Sequence, residues 1–327
     1  CVLALFDLDG FKDYNDRFGH HLGDALLARF GRRLADTVHG NGDCYRLGGD
    51  EFCVILHGSA DTGPDPSYSP TAMRARLTPS VIALSSSGRA FSVGCSYGAV
   101  ALAEEGTTPV SVLQLADHRM YAHKADRHNG DLDRNHAGRE SIPPPGREPP
   151  IGAHLPSVPG LAKEVGHRLG MTRRERDDLR HAAIYRDVGK GAIPDDLLAT
   201  PEPLDADELA FARLQSVAGE RILAAVPALR AAALLVRSSH ERFDGTGYPD
   251  GLKGDTIPLG ARIIAACHTL GSLVAGRPYR GPMALDRALT EVAAGRGTRF
   301  DPVVVDALVE EVLSSLPQAV ERDQFTT

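Results

Sequence analysis

The first groups able to do chemistry lie at the end of an apolar run. "CVLALF" is followed by Asp7, Leu8 and Asp9, and then by Gly10-Phe11-Lys12. An Asp at a strand end, next to a glycine turn, sets a carboxylate beside a loop of free backbone N–H groups, and such loops suit phosphate. A second acidic pair, Asp50 and Glu51, follows Gly48-Gly49 in "DCYRLGGDEFCVIL". If the two strands are neighbours, Asp7 and Asp50 face one another. Paired carboxylates that hold Mg²⁺ serve phosphoryl transfer, because the metal lowers the pKa of an attacking hydroxyl and neutralises leaving oxygens. An acidic hairpin alone is more often a solvated turn. Only the two stations together carry meaning.

These groups need elements to position them. "CVLALF" reads as a buried strand, and Leu22–Val38 as a helix with Leu26, Phe30, Leu34 and Val38 on one face. "DCYRLGGDEFCVIL" reads as two strands joined tightly at Gly48-Gly49. "AFSVGCSYGAV" is a further strand and Val110–Arg127 a further helix. Residues 1–129 therefore form an α/β or α+β domain. Residues 130–150, with "SIPPPGREPP", read as a semi-rigid Pro-rich linker. Helical periodicity dominates residues 151–327, as in Leu204–Ala225, Leu229–Ser238 and Val303–Leu313, so the second domain is mostly α.

A chain of 327 residues favours two domains over one core. Trp is absent and aromatics are few, so Leu, Val, Ile and Ala must fill the cores. A net charge of -7 argues against sequence-independent nucleic-acid binding, which needs clustered cations, but a nucleotide substrate needs only a few. The five cysteines show no CxxC spacing. Cys53 and Cys95 sit in apolar runs, where a buried free thiol is expected over a disulfide, as in a reducing cytoplasm. No apolar run reaches the roughly 18 residues of a membrane span. The chain opens at Cys1, without Met, which reads as a piece of a longer protein.

The order and spacing of the acidic stations resemble the GGDEF family of diguanylate cyclases. The literal string occupies Gly48–Phe52 behind Arg46, with "DLDGFK", Asn15-Asp16, Gly19-His20 and Gly23-Asp24 upstream. "SYGA" from Ser96 and "ADHRMYAHK" from Ala116 continue the resemblance, which covers residues 1–129. It implies a ferredoxin-like palm, a bacterial signalling role, and condensation of two GTP into cyclic di-GMP with Mg²⁺ or Mn²⁺. By resemblance, Asp7 and Asp50 bind metal, the Leu8 carbonyl assists, and Glu51 supports the metal site and completes the catalytic pair with Asp50. Gly10, Phe11 and Lys12 line the triphosphate loop. Asn15 and Asp24 meet the guanine edge, Arg46 belongs to the GTP-binding set, and Lys124 contacts the terminal phosphates. Each domain would hold one GTP, so a homodimer is implied. Three departures stand out. His128 occupies a position where the family carries a phosphate-binding Arg. "HGNGD" puts His39 and Gly42 where an inhibitory Arg-x-x-Asp would stand. The family's opening helix precedes Cys1.

"HERFDGTGYPDGLKGDTIPLGARI", followed by "RPYR" and "FDP", resembles the HD-GYP family, a helical branch of metal phosphohydrolases that cleave cyclic di-GMP. The family ligands fall on His154, Arg186-Asp187, Gln215, Ser239-His240 and His268, while Lys190 and the Gly247-Tyr248-Pro249 loop remain. Of those seven ligand positions, His154, Asp187 and His240 keep their type. Arg186 is the decisive change: a guanidinium has no acceptor lone pair and stays protonated. A unit charge about 4 Å from a dication costs roughly 8 kcal/mol at an effective dielectric near 20. The expectation is a degenerate site without metal. Its role would be to regulate or bind ligand, in a cytoplasmic cyclase acting on GTP and responding to cyclic di-GMP. Two readings compete: a cyclic di-GMP phosphodiesterase, and a non-catalytic module that binds GTP or cyclic di-GMP.

Overall fold

The computed structural model describes residues 1–57, 70–102, 108–131, 151, 156–200, 203–275 and 281–315, with backbone alone at 70–74 and 126–131. The proposed linker thus falls almost wholly outside the described residues. The chain divides into two compact units, Cys1–Glu140 with Gly191–Ala212, and Ser141–Lys190 with Arg213–Thr327.

In the first unit, β1 (Val2–Asp9), α1 (Phe11–Phe18), α2 (His20–Val38), β2 (Gly42–Gly48) and β3 (Glu51–Leu56) are followed by α3 (Pro70–Ala83), β4 (Ser86–Gly88), β5 (Phe91–Ala101) and α4 (Pro109–Asp131). The sheet runs β2-β3-β1-β5-β4, with β1 central and antiparallel to both neighbours. Strand β1 buries Val2, Ala4, Phe6 and Leu8 on one face and Leu5 on the other, whose far end carries Asp7 and Asp9. Helix α2 contributes Leu22, Leu26, Phe30, Leu34 and Val38 to the core, the stripe expected from its period. Helix α4 packs Val112, Ala116 and Met120 with Leu5, Cys53 and Val100. Gly98 permits that approach, since a Cβ there would stand 1.9 Å from the Ala116 carbonyl oxygen. The same seating sets the later turns of α4 near the end of β1.

The hairpin differs from expectation by one residue. Gly48 pairs with Glu51, so the turn is Gly49-Asp50 rather than Gly48-Gly49. Gly49, at φ 50°, supplies the left-handed conformation that the turn requires. After α5 (Val158–Arg168) and α6 (Arg173–Tyr185) of the second unit, α7 (Asp195–Ala199) and most of α8 (Ala206–Arg213) again belong to this one.

The second unit consists, among the described residues, of helices: α5 (Val158–Arg168), α6 (Arg173–Tyr185), α9 (Gln215–Ala224), α10 (Arg230–Ser238), α11 (Leu259–Ala275), α12 (Leu285–Ala294) and α13 (Pro302–Ser315). Thr172 and Glu175 form a reciprocal capping box at the start of α6. Leu161, Val165, Leu179, Ile263, Ile264, Leu270, Val304 and Leu308 form the centre of its core, and each such burial stabilises by about 1.5–3 kcal/mol. The periodic stretch Leu204–Ala225 is not one helix. It breaks at Leu214, where the Ser216 hydroxyl takes up the Arg213 carbonyl at 3.2 Å. No helix among the described residues is long and apolar enough to cross a membrane.

Candidate functional site

At the end of β1, the residue directly across from Asp7 is Glu51 on β3, with Ser96 opposite on β5. Asp50 sits one step further, in the turn, and its carbonyl accepts the Leu8 N–H at 3.3 Å. The expected pairing of Asp7 with Asp50 is thus offset by one position, because the hairpin turns at Gly49-Asp50. Arg46 fastens that turn: its Nε and Nη2 donate to the Gly49 carbonyl at 3.0 and 2.8 Å. Asp9 accepts the Ser96 hydroxyl at 3.0 Å. Neither Asp9 nor Ser96 was singled out as a site residue. Strand alternation was the available signal, since Asp9 shares a face with Asp7.

The Lys124 ammonium pairs with Asp7. Burial opposes its charge, but the hydrogen bond to Asp7 and the negative charges of Asp7, Asp9 and Asp50 outweigh that and push its pKa up. Gly10, at φ 81°, turns the chain from β1 into α1, and a Cβ there would stand 2.9 Å from the Ser92 carbonyl oxygen. Phe11 is buried behind this turn and Lys12 is exposed. Asn15 lies against Gly23, where a Cβ would overlap its Oδ1, so Gly23 is what gives the amide room. That Oδ1 is buried and has no partner among the described residues, and Asp24 stands exposed next to Gly23. The side chain of His128 lies outside the described residues. The donors around Asp7 are all oxygen, which fits a hard divalent cation.

In the second unit, Arg186 follows α6 and reaches three partners. Nη1 lies 3.2 Å from Asp187 Oδ1, and Nη2 lies 3.4 Å from the Ser239 carbonyl and 3.1 Å from His240 Nδ1. Lys190 Nζ donates to Asp187 Oδ2 at 2.8 Å, and His268 Nε2 stands 3.9 Å from the same oxygen. Burial alone would raise the Asp187 pKa, yet the cations Arg186 and Lys190 hold it well below the usual carboxylate range. Burial, and then the Arg186 charge, push His240 far down, so its ring is neutral.

Tyr248 joins the same cluster. Its hydroxyl is 2.9 Å from His240 Nδ1 and receives Gln215 Nε2 at 3.0 Å. The two rings stack at 4.9 Å, and the Arg213 guanidinium lies 5.5 Å from the Tyr248 centroid. The helix break at Leu214 is what lets Arg213 and Gln215 both reach it. Gly247 is required here, since a Cβ would stand 2.3 Å from the Arg242 nitrogen; the Tyr248-Pro249 bond is cis. Glu241, which sequence reasoning missed, is buried and accepts the Asp250 N–H at 2.8 Å, holding the loop beneath Tyr248. Its only signal was its place beside His240. The Ser239 hydroxyl is turned back to the Val236 carbonyl, and His154 lies outside the described residues. Among the described residues of both units, no three His, Cys, Asp or Glu side chains gather to hold a metal, so this does not by itself distinguish the two sites. With Arg186 bonded to both Asp187 and His240, the described residues of this cluster do not fit a divalent cation.

The HD domain profile matches residues 132–304, and the diguanylate cyclase, GGDEF domain profile matches residues 1–130. Over 182 residues the chain is 37% identical to a probable cyclic di-GMP phosphodiesterase of Vibrio cholerae, covering 50% of this chain and 41% of that protein. Over 165 residues it is 38% identical to the cyclic di-GMP phosphodiesterase response regulator RpfG of Xanthomonas campestris, covering 50% and 44%. The chain therefore spans less than half the length of these curated relatives. Among solved structures, a sensory box/GGDEF family protein from Caulobacter crescentus is 31% identical, covering 38% of this chain and 78% of that one with a TM-score of 0.32. Both families generally use divalent metals. With more than half its length matched by the HD profile and residues 1–130 by the GGDEF profile, the chain belongs to the HD-domain family and carries a GGDEF domain before it.

Proposed function

We propose that the first domain is a diguanylate cyclase that makes cyclic di-GMP from two GTP, and that the second binds ligand without hydrolysing it. The carrying observation is the meeting of Asp7, Glu51 and the Asp50 turn at the end of β1, with Lys124 held on Asp7. Asp7, Asp50, Glu51 and the Leu8 carbonyl would hold Mg²⁺ or Mn²⁺. The metal, when bound, acidifies the attacking hydroxyl and offsets charge on the leaving oxygens. Lys124 then turns from Asp7 to the terminal phosphates, while the Gly10 turn and Lys12 face the triphosphate. Asn15 Oδ1 is an acceptor in need of a donor. Guanine offers N–H donors on that edge, where adenine presents a bare ring nitrogen, and the adjacent Asp24 carboxylate accepts the second one. The 3′-hydroxyl of one GTP attacks the α-phosphate of the other, pyrophosphate leaves, and the step repeats in the opposite sense. One domain holds one GTP, so two copies must meet. GTP as substrate supports a cytoplasmic location.

Incubation with GTP and Mg²⁺ should yield cyclic di-GMP, and Asp50→Ala should abolish it. Undiminished turnover in that variant would refute the metal assignment. A second reading, cyclic di-GMP hydrolysis, is favoured by the names of the relatives at 37% and 38% identity. Against it stands Arg186, bonded to the two side chains that a metal would need. Metal-dependent appearance of linear pGpG from cyclic di-GMP would establish that reading instead.

A further inference from the structure

We propose that Arg186 takes over the place of a divalent cation in the second unit, and that the side-chain cluster around Tyr248 is a metal-independent binding site for a nucleotide phosphodiester. The inference deepens the reading of this domain as non-hydrolytic and stands apart from the cyclase assignment.

Proton bookkeeping around His240 is the first step. A guanidinium only donates, so its contact with Nδ1 at 3.1 Å makes that nitrogen an acceptor. Tyr248 already receives the Gln215 amide N–H, which leaves its own proton to point at the same Nδ1, 2.9 Å away. The imidazole is therefore the neutral tautomer with its proton on Nε2, as assigned from this network. Neither nitrogen can then ligate a cation: the Nδ1 lone pair is occupied, and Nε2 carries hydrogen. Arg186 has converted His240 from a metal ligand into a hydrogen-bond donor.

That donor is unmet. His240 Nε2 is buried and has no partner among the described residues. Gln215 has spent its N–H on Tyr248, and its Oε1 is likewise buried without a partner there. Two such atoms, one donor and one acceptor joined through a single tyrosine hydroxyl, each forfeit a hydrogen bond unless something enters. A ligand carrying both an anionic oxygen and an N–H or O–H group satisfies both at once.

Charge selects the anion. Arg186 and Lys190 contribute two positive charges against the one negative charge of Asp187. Arg213, over the Tyr248 ring, adds a further cation. A phosphodiester anion is drawn to this excess of cations, and a nucleotide's ribose or base supplies the donor for Gln215 Oε1. Inorganic phosphate also offers an anionic oxygen and an O–H, so it enters the test as a competitor.

The test is isothermal titration of the full chain with cyclic di-GMP in excess EDTA, repeated with inorganic phosphate as competitor and with Arg186→Gln and Gln215→Leu proteins. Binding should persist in EDTA and weaken at least about tenfold in each variant, the loss expected for one charge-assisted or buried hydrogen bond. The fold of each variant is checked by circular dichroism. If Arg186→Gln does not fold, Gln215→Leu alone decides. Binding that appears only with Mn²⁺, affinity unchanged in a folded variant, or uptake of phosphate with none of the dinucleotide would overturn the proposal. Loss of cyclase activity alone would leave these titrations unaltered, so the two readings fail separately.

Discussion

Asp7 and Asp187 each face a side-chain cation, and the exposure of that cation decides whether it can leave. Lys124 is 49% exposed on a flexible stem, so a metal or a phosphate can draw it off Asp7. The Arg186 side chain is 13% exposed and has three named partners, so it stays. One is a counter-ion awaiting exchange; the other is part of the wall. At this scale the sequence already revealed the lost lone pair at Arg186, because residue type alone settles whether a group can ligate metal. What it concealed was the route by which Gln215, Tyr248 and His240 share one hydrogen-bond chain, since that depends on a helix break invisible to periodicity. Asn15 supports a kinetic prediction. Replacing a buried acceptor by Ala removes about 1–1.5 kcal/mol of ground-state and transition-state binding alike. Steady-state assays of Asn15→Ala should show KM for GTP up by roughly tenfold with kcat little changed. An unmoved KM would mean that Asn15 does not meet the base.

Elements were legible where burial is periodic. Strand β1 and helix α2 follow from alternating and 3.6-residue patterns, and both appear as expected. The hairpin was found but its turn was misplaced by one, because three candidate turn residues in a row, Gly48-Gly49-Asp50, allow two registers. Only pairing with β3 chooses between them. In the second unit, the "FDP" motif proves to be an anchor: Asp301 is 4% exposed, takes Arg262 Nη1 at 2.5 Å, and accepts the Val303 N–H at 2.8 Å at the start of α13. Arg262→Ala would leave this carboxylate buried without its cation, a loss of about 3–5 kcal/mol. Denaturant unfolding should show the helical unit's transition shifted accordingly, and a shift below about 1 kcal/mol would show the pair to be solvated. Ahead of the hairpin, His39 and Gly42 stand where an Arg-x-x-Asp clamp would be. Gly has no side chain to replace a carboxylate. Cyclic di-GMP at low micromolar levels should therefore leave the initial rate of GTP turnover unchanged. Non-competitive inhibition that survives Arg186→Gln would contradict this.

For the molecule as a whole, the two-domain plan was evident from the Pro-rich stretch and the change from mixed to helical periodicity. The sequence carried no sign that Gly191–Ala212 would cluster with the first unit. That grouping rests on tertiary contacts such as the Tyr14 hydroxyl donating to the Ala192 carbonyl at 2.8 Å. Nor does sequence periodicity reveal how two copies would meet, as the proposed cyclase requires: with one GTP per domain, each copy would be half of a catalyst. The dependence of cyclic di-GMP formation on protein concentration, with GTP and Mg²⁺ saturating, tests the central claim most directly. Cyclic di-GMP should form, and activity per chain should rise with concentration until dimers saturate. Activity per chain that stays constant down to nanomolar protein would contradict the half-site account, and no cyclic di-GMP at any concentration would contradict the cyclase itself.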